Sequence, residues 1–451
     1  MSNTLRLRNF GIIFYAKCQV STSFAALSIF CLPMGLFTLL LLRTFLFLAP
    51  PSLNVHDFGA KGDGVTDDTQ AINQALQAGH DQQANVYFPA GTYLCNTVGS
   101  DGNILNFLAY GLQGITIYGD GNTSIITTSL NQGSTLLFVL AYSPCSNLTV
   151  KNLLFQNTHG MITAQTRALF FMGKQNQFIT NLTVSGCYFN GFSTALGGQG
   201  INTWTITTNY FGAPLGHDNA KNDTDPAVFL WFYDNPNGRC NNVSVTNNTA
   251  DGYSGAGPVS ALVTHRPMDG FVFGTGYGLT LTGNTTQHFS EEHYNFQPKA
   301  SNPDDTSTTL ISGNYLDCSL PQGTANSDGS PHRTNYGIRC DISNAVITNN
   351  TMVNYTYGII IRGIEYPTTQ LHSYVITGNQ LHAATDTVIY DVTAGILIQG
   401  NTNPVSDIRM TNNDIYTNLP DLPDYSRSIR VEMTQSLRRT LITANNLHLS
   451  Q

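Results

Sequence analysis

The sequence predicts an all-β solenoid: a single-stranded right-handed parallel β-helix, closed at its N-terminal end by a capping helix. Three observations predict it. First, a short apolar–Thr/Ser run ending in Asn recurs eight times after residue 200, as Thr205-Ile-Thr-Thr-Asn209, Ser244-Val-Thr-Asn-Asn248, Thr280-Leu-Thr-Gly-Asn284, Leu310-Ile-Ser-Gly-Asn314, Val346-Ile-Thr-Asn-Asn350, Val375-Ile-Thr-Gly-Asn379, Arg409-Met-Thr-Asn-Asn413 and Leu441-Ile-Thr-Ala-Asn445. The closing asparagines lie 39, 36, 30, 36, 29, 34 and 32 residues apart, and repetition at such a period marks a repeat architecture. Second, each unit alternates β-branched residues, which suits a half-buried strand rather than a helix. Third, the Gly-Asn or Asn-Asn that ends most units is turn chemistry, because both residues accept left-handed backbone angles.

A unit of this length holds three short strands and three turns. Stacked units pair at the ~4.8 Å strand spacing and bury one continuous core. An Asn at the same corner of every winding can donate and accept along a ladder. It thereby satisfies polar groups that would each cost ~1–3 kcal/mol if buried unpaired. Two weaker copies, Thr183-Val-Ser-Gly-Cys187 and Thr149-Val-Lys-Asn-Leu153, extend the repeat upstream. The uneven intervals place insertions in side loops. Leucine-rich repeats and propeller blades lack their signatures here, and a charged content of 11% is too low for helical repeats.

The elements follow in chain order. Residues 1–50 lie outside the repeat. Arg6, Arg8 and Lys17 precede Cys18 to Leu42, which carries no charge. As a helix it would span ~38 Å, enough for a ~30 Å hydrocarbon core. It reads as a signal anchor or as a long cleaved signal peptide ending near Leu48-Ala49-Pro50. Either places residues 51–451 outside the cytoplasm, secreted or held at the membrane by the uncleaved segment. Net charge is -8 with pI near 5.7, and no basic stripe stands out, so a nucleic-acid partner is not expected. Cys95, Cys145, Cys187, Cys240, Cys318 and Cys340 form no Cys-x-x-Cys pair, so zinc is not indicated. An exported chain permits disulfides, but spacing does not assign them. Cys187 replaces a ladder Asn and reads as a core thiol. The sequons Asn147-Leu-Thr, Asn181-Leu-Thr and Asn354-Tyr-Thr read as by-products of the Asn/Thr corners.

Residues 51–100 form the cap region. The stretch Leu53-Asn-Val-His-Asp-Phe-Gly-Ala-Lys-Gly-Asp-Gly-Val-Thr-Asp-Asp-Thr-Gln-Ala-Ile-Asn-Gln-Ala-Leu76 reads as strand, tight Gly turn and capped helix. Thr66 or Asp67 is placed to accept from the first free N–H groups, and Asp67 and Asp68 complement the positive helix end. Ile72, Ala75 and Leu76 share one apolar stripe. Such a helix would protect the edge of the first winding. Asp63, Asp67 and Asp68 leave calcium open, but their spacing is not that of an EF-hand loop, and no cofactor is expected. Val86-Tyr-Phe-Pro-Ala-Gly-Thr-Tyr93 follows as a strand with a Pro-Ala-Gly turn.

With Asp57-Phe-Gly-Ala-Lys-Gly-Asp-Gly-Val-Thr-Asp-Asp-Thr69 and this second strand, the chain resembles the pectate-lyase superfamily, specifically its rhamnogalacturonase/epimerase-like pectate lyase domain. With the coils, the resemblance covers residue 53 to roughly residue 450. It implies a pectin-lyase-like β-helix on an exported protein that acts on polysaccharide. It fixes fold better than reaction. The Asn-Thr-Asp, Gly-Asp-Asp and Gly-His-Gly set of polygalacturonases, the Asp-Pro-His-Glu of alginate epimerases and the Arg-x-Pro-x-x-Arg of one lyase group are absent, so no catalytic residue carries over from those subfamilies.

One strand per winding is expected to line a groove: Ala227–Asp234, Ser260–Arg266, Glu292–Lys299, Asn335–Asp341 and Tyr357–Arg362. Alternation with Tyr294, Phe296, Ile338 and Cys340 inward puts His293, Asn295, Arg339 and Asp341 outward. His293, Arg339 and Asp341 are the candidate catalytic residues. His265, Arg266, Lys299, Arg362 and Tyr233 are the candidate substrate contacts, and no metal ligands are assigned. A His between arginines suits uronic-acid lyase or epimerase chemistry, with the guanidinium groups neutralising the carboxylate and His or Tyr removing the C5 proton. Hydrolysis would instead need two carboxylates, which Asp341 with Glu292 or Asp234 would supply. The third reading is a non-catalytic, tailspike-like glycan-binding protein. In each reading the partner is an extracellular polysaccharide.

Overall fold

In the computed structural model the described residues are 50–130, 134–141, 144–159, 166–173, 178–212, 228–232, 240–252, 269–274, 276–289, 292–296, 307–319, 336–362, 371–383, 394–400, 405–417, 427–433 and 438–449. They form a right-handed parallel β-helix. Three parallel sheets run the length of the solenoid, with 15, 13 and 11 described strands. Sheet A runs from Ser52–Asn54 to Leu441–Thr443, sheet B from Asp63–Asp67 to Asn446–Leu449, and sheet C from Asn103–Leu108 to Arg427–Met433. The chain visits A, B and C in turn, so residues of successive repeats become neighbours across one strand spacing. Thr205-Ile-Thr, for example, pairs with Ser244-Val-Thr.

The alternating residues stack inside as the sequence requires. Val184, Ile206, Val245, Leu281, Ile311, Ile347 and Ile376 form one fully buried column in sheet A. Phe155, Phe189 and Phe211 stack in sheet B at 5.3 and 5.1 Å between ring centres. Each such side chain contributes ~1.5–3 kcal/mol of burial.

The corner between sheets A and B shows why the repeat ends as it does. The residue before each closing asparagine is left-handed: Thr208, Asn247, Gly283, Gly313, Asn349, Gly378, Asn412 and Ala444 have φ between 53° and 67°. Asn and Gly accept this cheaply, whereas Thr208 and Ala444 bear the steric cost. The asparagine that follows points inward. Asn209, Asn248, Asn284, Asn314, Asn350, Asn379 and Asn413 each donate their backbone N–H and their Nδ2 to the Oδ1 of the next asparagine, ending on Asn445. The backbone bonds measure 2.9–3.1 Å and the side-chain bonds 2.8–3.0 Å. The second Nδ2 hydrogen reaches a sheet A carbonyl of the preceding winding, such as Leu281 O for Asn314. Cys187 takes the ladder place one winding earlier, its N–H donating to Asn209 Oδ1 and its thiol lying against Val150 O. Burial pushes that thiol up to about 12. All six cysteines beyond residue 50 are buried and unbridged.

At the N-terminal end, helix α1 (Thr69–Gln82) lies with Ile72, Ala75 and Leu76 buried. Asp67 Oδ1 accepts from Thr69 N. Asp68 turns back instead and accepts from Lys61 N and Gly62 N, closing the Gly turn, while Asp63 accepts from Val65 N and Thr66 N. All three carboxylates are thus engaged by backbone N–H groups. Asn73 completes the cap. It donates to Ile104 O and accepts from Asn106 N, occupying the exposed edge of the first sheet C strand. Among the described residues no helix is long and apolar enough to cross a membrane. The segment Cys18 to Leu42 lies outside them.

Candidate active site

The outward side of sheet C gathers the chemistry. Its strands Val228–Phe232, Phe271–Phe273, Glu292–Phe296, Tyr336–Cys340 and Tyr357–Arg362 are consecutive neighbours. Phe271–Phe273 fills the place before Glu292–Phe296; the expected strand Ser260–Arg266 lies outside the described residues. Gly270-Phe-Val-Phe273 carries the alternating bulky pattern and wins the core positions, and it brings Asp269 beside Glu292.

Asn295 and Arg339 are register partners, as are Phe296 and Cys340. Arg339 Nε donates to Asp341 Oδ2 at 2.8 Å, and its Nη1 reaches Glu292 Oε1 at 3.3 Å. Asp341 Oδ1 accepts from Arg362 N at 3.0 Å. Asp269 accepts from Glu292 N and from Asn295 Nδ2, both at 3.3 Å. Glu292, Asn295, Arg339, Asp341 and Asp269 are all buried. Asn295 Oδ1 is enclosed without a hydrogen-bond donor.

The two acids around Arg339 differ in kind. Burial, then the charge of Asp269 and a hydrogen bond to it, holds the Glu292 carboxyl well above the usual range, against the opposing pull of Arg339. Two carboxyl groups in contact favour keeping one proton between them. The shorter guanidinium bond goes to Asp341, which Arg339 holds at 2.8 Å, and the longer one, at 3.3 Å, to Glu292. Tyr336 sits next to Glu292 by register, and its ring stacks on Tyr357 at 5.4 Å. The sequence brought forward Arg339, Asp341, Arg362 and Glu292; it missed Asp269, whose one signal is its place just before Gly270-Phe-Val-Phe273.

His293 is not outward. It is fully buried, as is Tyr294 beside it. Register passes from Glu292↔Tyr336 to Tyr294↔Ile338, with two successive side chains turned inward. The same place in later windings is Gly337, Gly358 and Gly395, where an added Cβ at Gly337 would meet Gly358 O at 2.6 Å. Strict alternation fails at this bend. His293 Nδ1 bonds Thr286 Oγ1 at 2.9 Å, its ring meets Phe289 edge-on, and burial pushes its pKa down to about 3. It is therefore neutral and shielded in this arrangement. His265, Arg266, Lys299 and Tyr233 lie outside the described residues, as does Asp234.

A second histidine nearby is charged more readily. His288 Nδ1 lies 2.8 Å from Asp251 Oδ1, and this bond, with the charges of Asp251 and Asp317, raises its pKa against the effect of burial. His293, the other titratable neighbour, stays neutral. A raised native pKa adds stability below the ordinary value of 6.5, and that stability is lost as pH rises through the native value. Unfolding midpoints should therefore fall across neutral pH, and His288→Gln should flatten that slope. An equal slope in the variant would remove His288 as its source.

The fold is a right-handed parallel β-helix that carries this acid cluster on sheet C. Residues 52–139 match the family described as rhamnogalacturonase A/epimerase, pectate lyase-like. Over 54 residues it is 50% identical to a glucan 1,3-beta-glucosidase of Cochliobolus carbonum, covering 10% of this chain and 7% of that protein. Over 41 residues it is 58% identical to alginate lyase 7 of Azotobacter vinelandii, covering 9% and 5%. The matches thus span under a tenth of those relatives' length. In structure it is similar to PfbA, a surface adhesin of Streptococcus pneumoniae, with TM-score 0.55 and 14% identity over 89% of this chain and 93% of that one. It is also similar to the tailspike protein of E. coli bacteriophage HK620, solved as a mutant in complex with pentasaccharide. There the TM-score is 0.50 with 13% identity over 86% and 78% of the chains. At these identities the structural likeness is one of fold.

Proposed function

We propose that the protein is an exported enzyme that hydrolyses glycosidic bonds in polysaccharide, with Glu292 as general acid and Asp341 as base or nucleophile. The observation that carries this reading is the geometry of the acids around Arg339: Glu292 buried against Asp269, with its carboxyl pushed well above the usual range, and Asp341 bonded to the guanidinium at 2.8 Å. Glycoside hydrolysis uses such a pair, one carboxyl to protonate the leaving oxygen and one carboxylate on the other partner of the reaction. The uronan lyase or epimerase reading loses support because its guanidinium is already held by two carboxyl groups and its candidate histidine base, His293, is bonded to Thr286 on the core side. Polysaccharide as substrate is supported by the family match and by relatives whose names denote glucan or alginate enzymes.

The test is a product assay on soluble neutral glycans and on polyuronides. New reducing ends without the ultraviolet absorbance of an unsaturated uronate are expected. Unsaturated products would instead restore elimination and overturn this assignment.

A further inference from the structure

The outer face of sheet B is a separate surface. One outward column reads Tyr188, Tyr210, Thr249, Thr285, Tyr315 in strict register, and the next reads Asn190, Gly212, Asp251, Gln287, Asp317. The residues between them, Phe189, Phe211, Ala250, Thr286 and Leu316, are buried in the core. Tyr188 and Tyr315 are 38% and 41% exposed, among the few large side chains left so open. The Tyr210 ring lies across Gly212, where an added Cβ would stand 2.5 Å from it. Tyr210 and Tyr315 are three strand spacings apart, about 14 Å. Between them the floor is two short threonines, and one side is walled by acids. Asp251 is fixed by Gln287 Nε2 and His288, and Asp317 by Asn354 Nδ2 and Ser319 N.

We propose that this trough is a second, non-catalytic binding site for a neutral glycan chain. Aromatic rings at each end offer flat apolar faces to pyranose rings. Asp317, only partly buried, takes its bonds from Ser319 and Asn354 on Oδ1 and offers Oδ2 to sugar hydroxyl donors, while Asp251 lies buried. The threonines interrupt the apolar surface, which suits an amphipathic sugar rather than a protein partner needing a broad apolar patch. Asp317 disfavours a polyuronide, since His288 is already paired with Asp251. The site stands on its own geometry and does not depend on the hydrolysis reading.

The experiment uses the full chain carrying Glu292→Gln, so that bound glycan is not consumed. Its migration is measured in native gels containing soluble neutral glucans or polygalacturonate. Retardation by a neutral glucan is expected. Adding Tyr210→Ala and Tyr315→Ala should weaken it about tenfold, with circular dichroism and unfolding midpoint unchanged. The single Tyr315→Ala variant covers a fold defect in the double one. No retardation by any neutral glucan, unchanged retardation in folded tyrosine variants, or stronger retention by polygalacturonate overturns the site. Retardation that persists where the wild-type chain yields no reducing ends separates this site's success from failure of the hydrolysis reading.

Discussion

Glu292→Gln is expected to lower glycan hydrolysis by ~10²–10⁴-fold, the range for loss of a general acid, with little change in stability. The physical reason lies in shape and hydrogen bonding. A protonated Glu and a Gln are nearly isosteric. The Gln amide can donate to Asp269 in place of the carboxyl proton, and its carbonyl can accept from Arg339. What it lacks is a transferable proton. The wild-type rate should also fall as pH rises through the elevated Glu292 pKa, because the acid must be protonated to act. That limb should lie above the usual carboxylate range and disappear in the variant. Steady-state rates across pH, read beside unfolding midpoints, check both parts. A folded Glu292→Gln protein with full activity would end the assignment.

Asn314→Ala is expected to cost about 3 kcal/mol or more of stability. The substitution removes the acceptor for Asn284 N and Nδ2 and the donor to Leu281 O and Asn350 Oδ1. Each of these groups is then left in the dry interior, at ~1–3 kcal/mol apiece before relaxation. Asn445→Ala should cost less, because no further asparagine follows it in the ladder: Asn413 loses its acceptor and Met410 O its donor, and the place is partly open to water. Urea unfolding of the two variants measures the difference. Equal, small effects would mean that the ladder is ornamental to stability.

The ladder was legible because each winding faces the same two demands at its corner: a left-handed residue and a side chain that both donates and accepts. Only a few residue types meet them, so Gly-Asn and Asn-Asn repeat. Cys187 was readable as the exception for the same reason. The cap was legible from Asp67 and the Ile72, Ala75, Leu76 stripe, but Asn73 was not, since its role depends on an edge strand thirty residues onward. In the site, Arg339 and Asp341 emerged from alternation about Ile338 and Cys340. His293 was misplaced because alternation breaks where sheet C bends, and only the glycines at 337, 358 and 395 hint at it. Asp269 was hidden because the strand of that winding was expected at Ser260–Arg266, whereas Phe271–Phe273 lies beside Glu292–Phe296. Side chains in regular windings can be placed from period alone; those at bends and after long insertions depend on three-dimensional space.

Burial beside Asp269 should hold the Glu292 carboxyl on sheet C above the range in which ordinary carboxyl groups ionise. Infrared difference titration of the carboxyl stretch measures this directly, with Glu292→Gln as reference. A protonated carboxylic-acid band persisting at neutral pH in the wild-type protein and absent from the variant is the predicted result. Complete ionisation of every carboxyl group within the usual range, with identical spectra for both proteins, would contradict it.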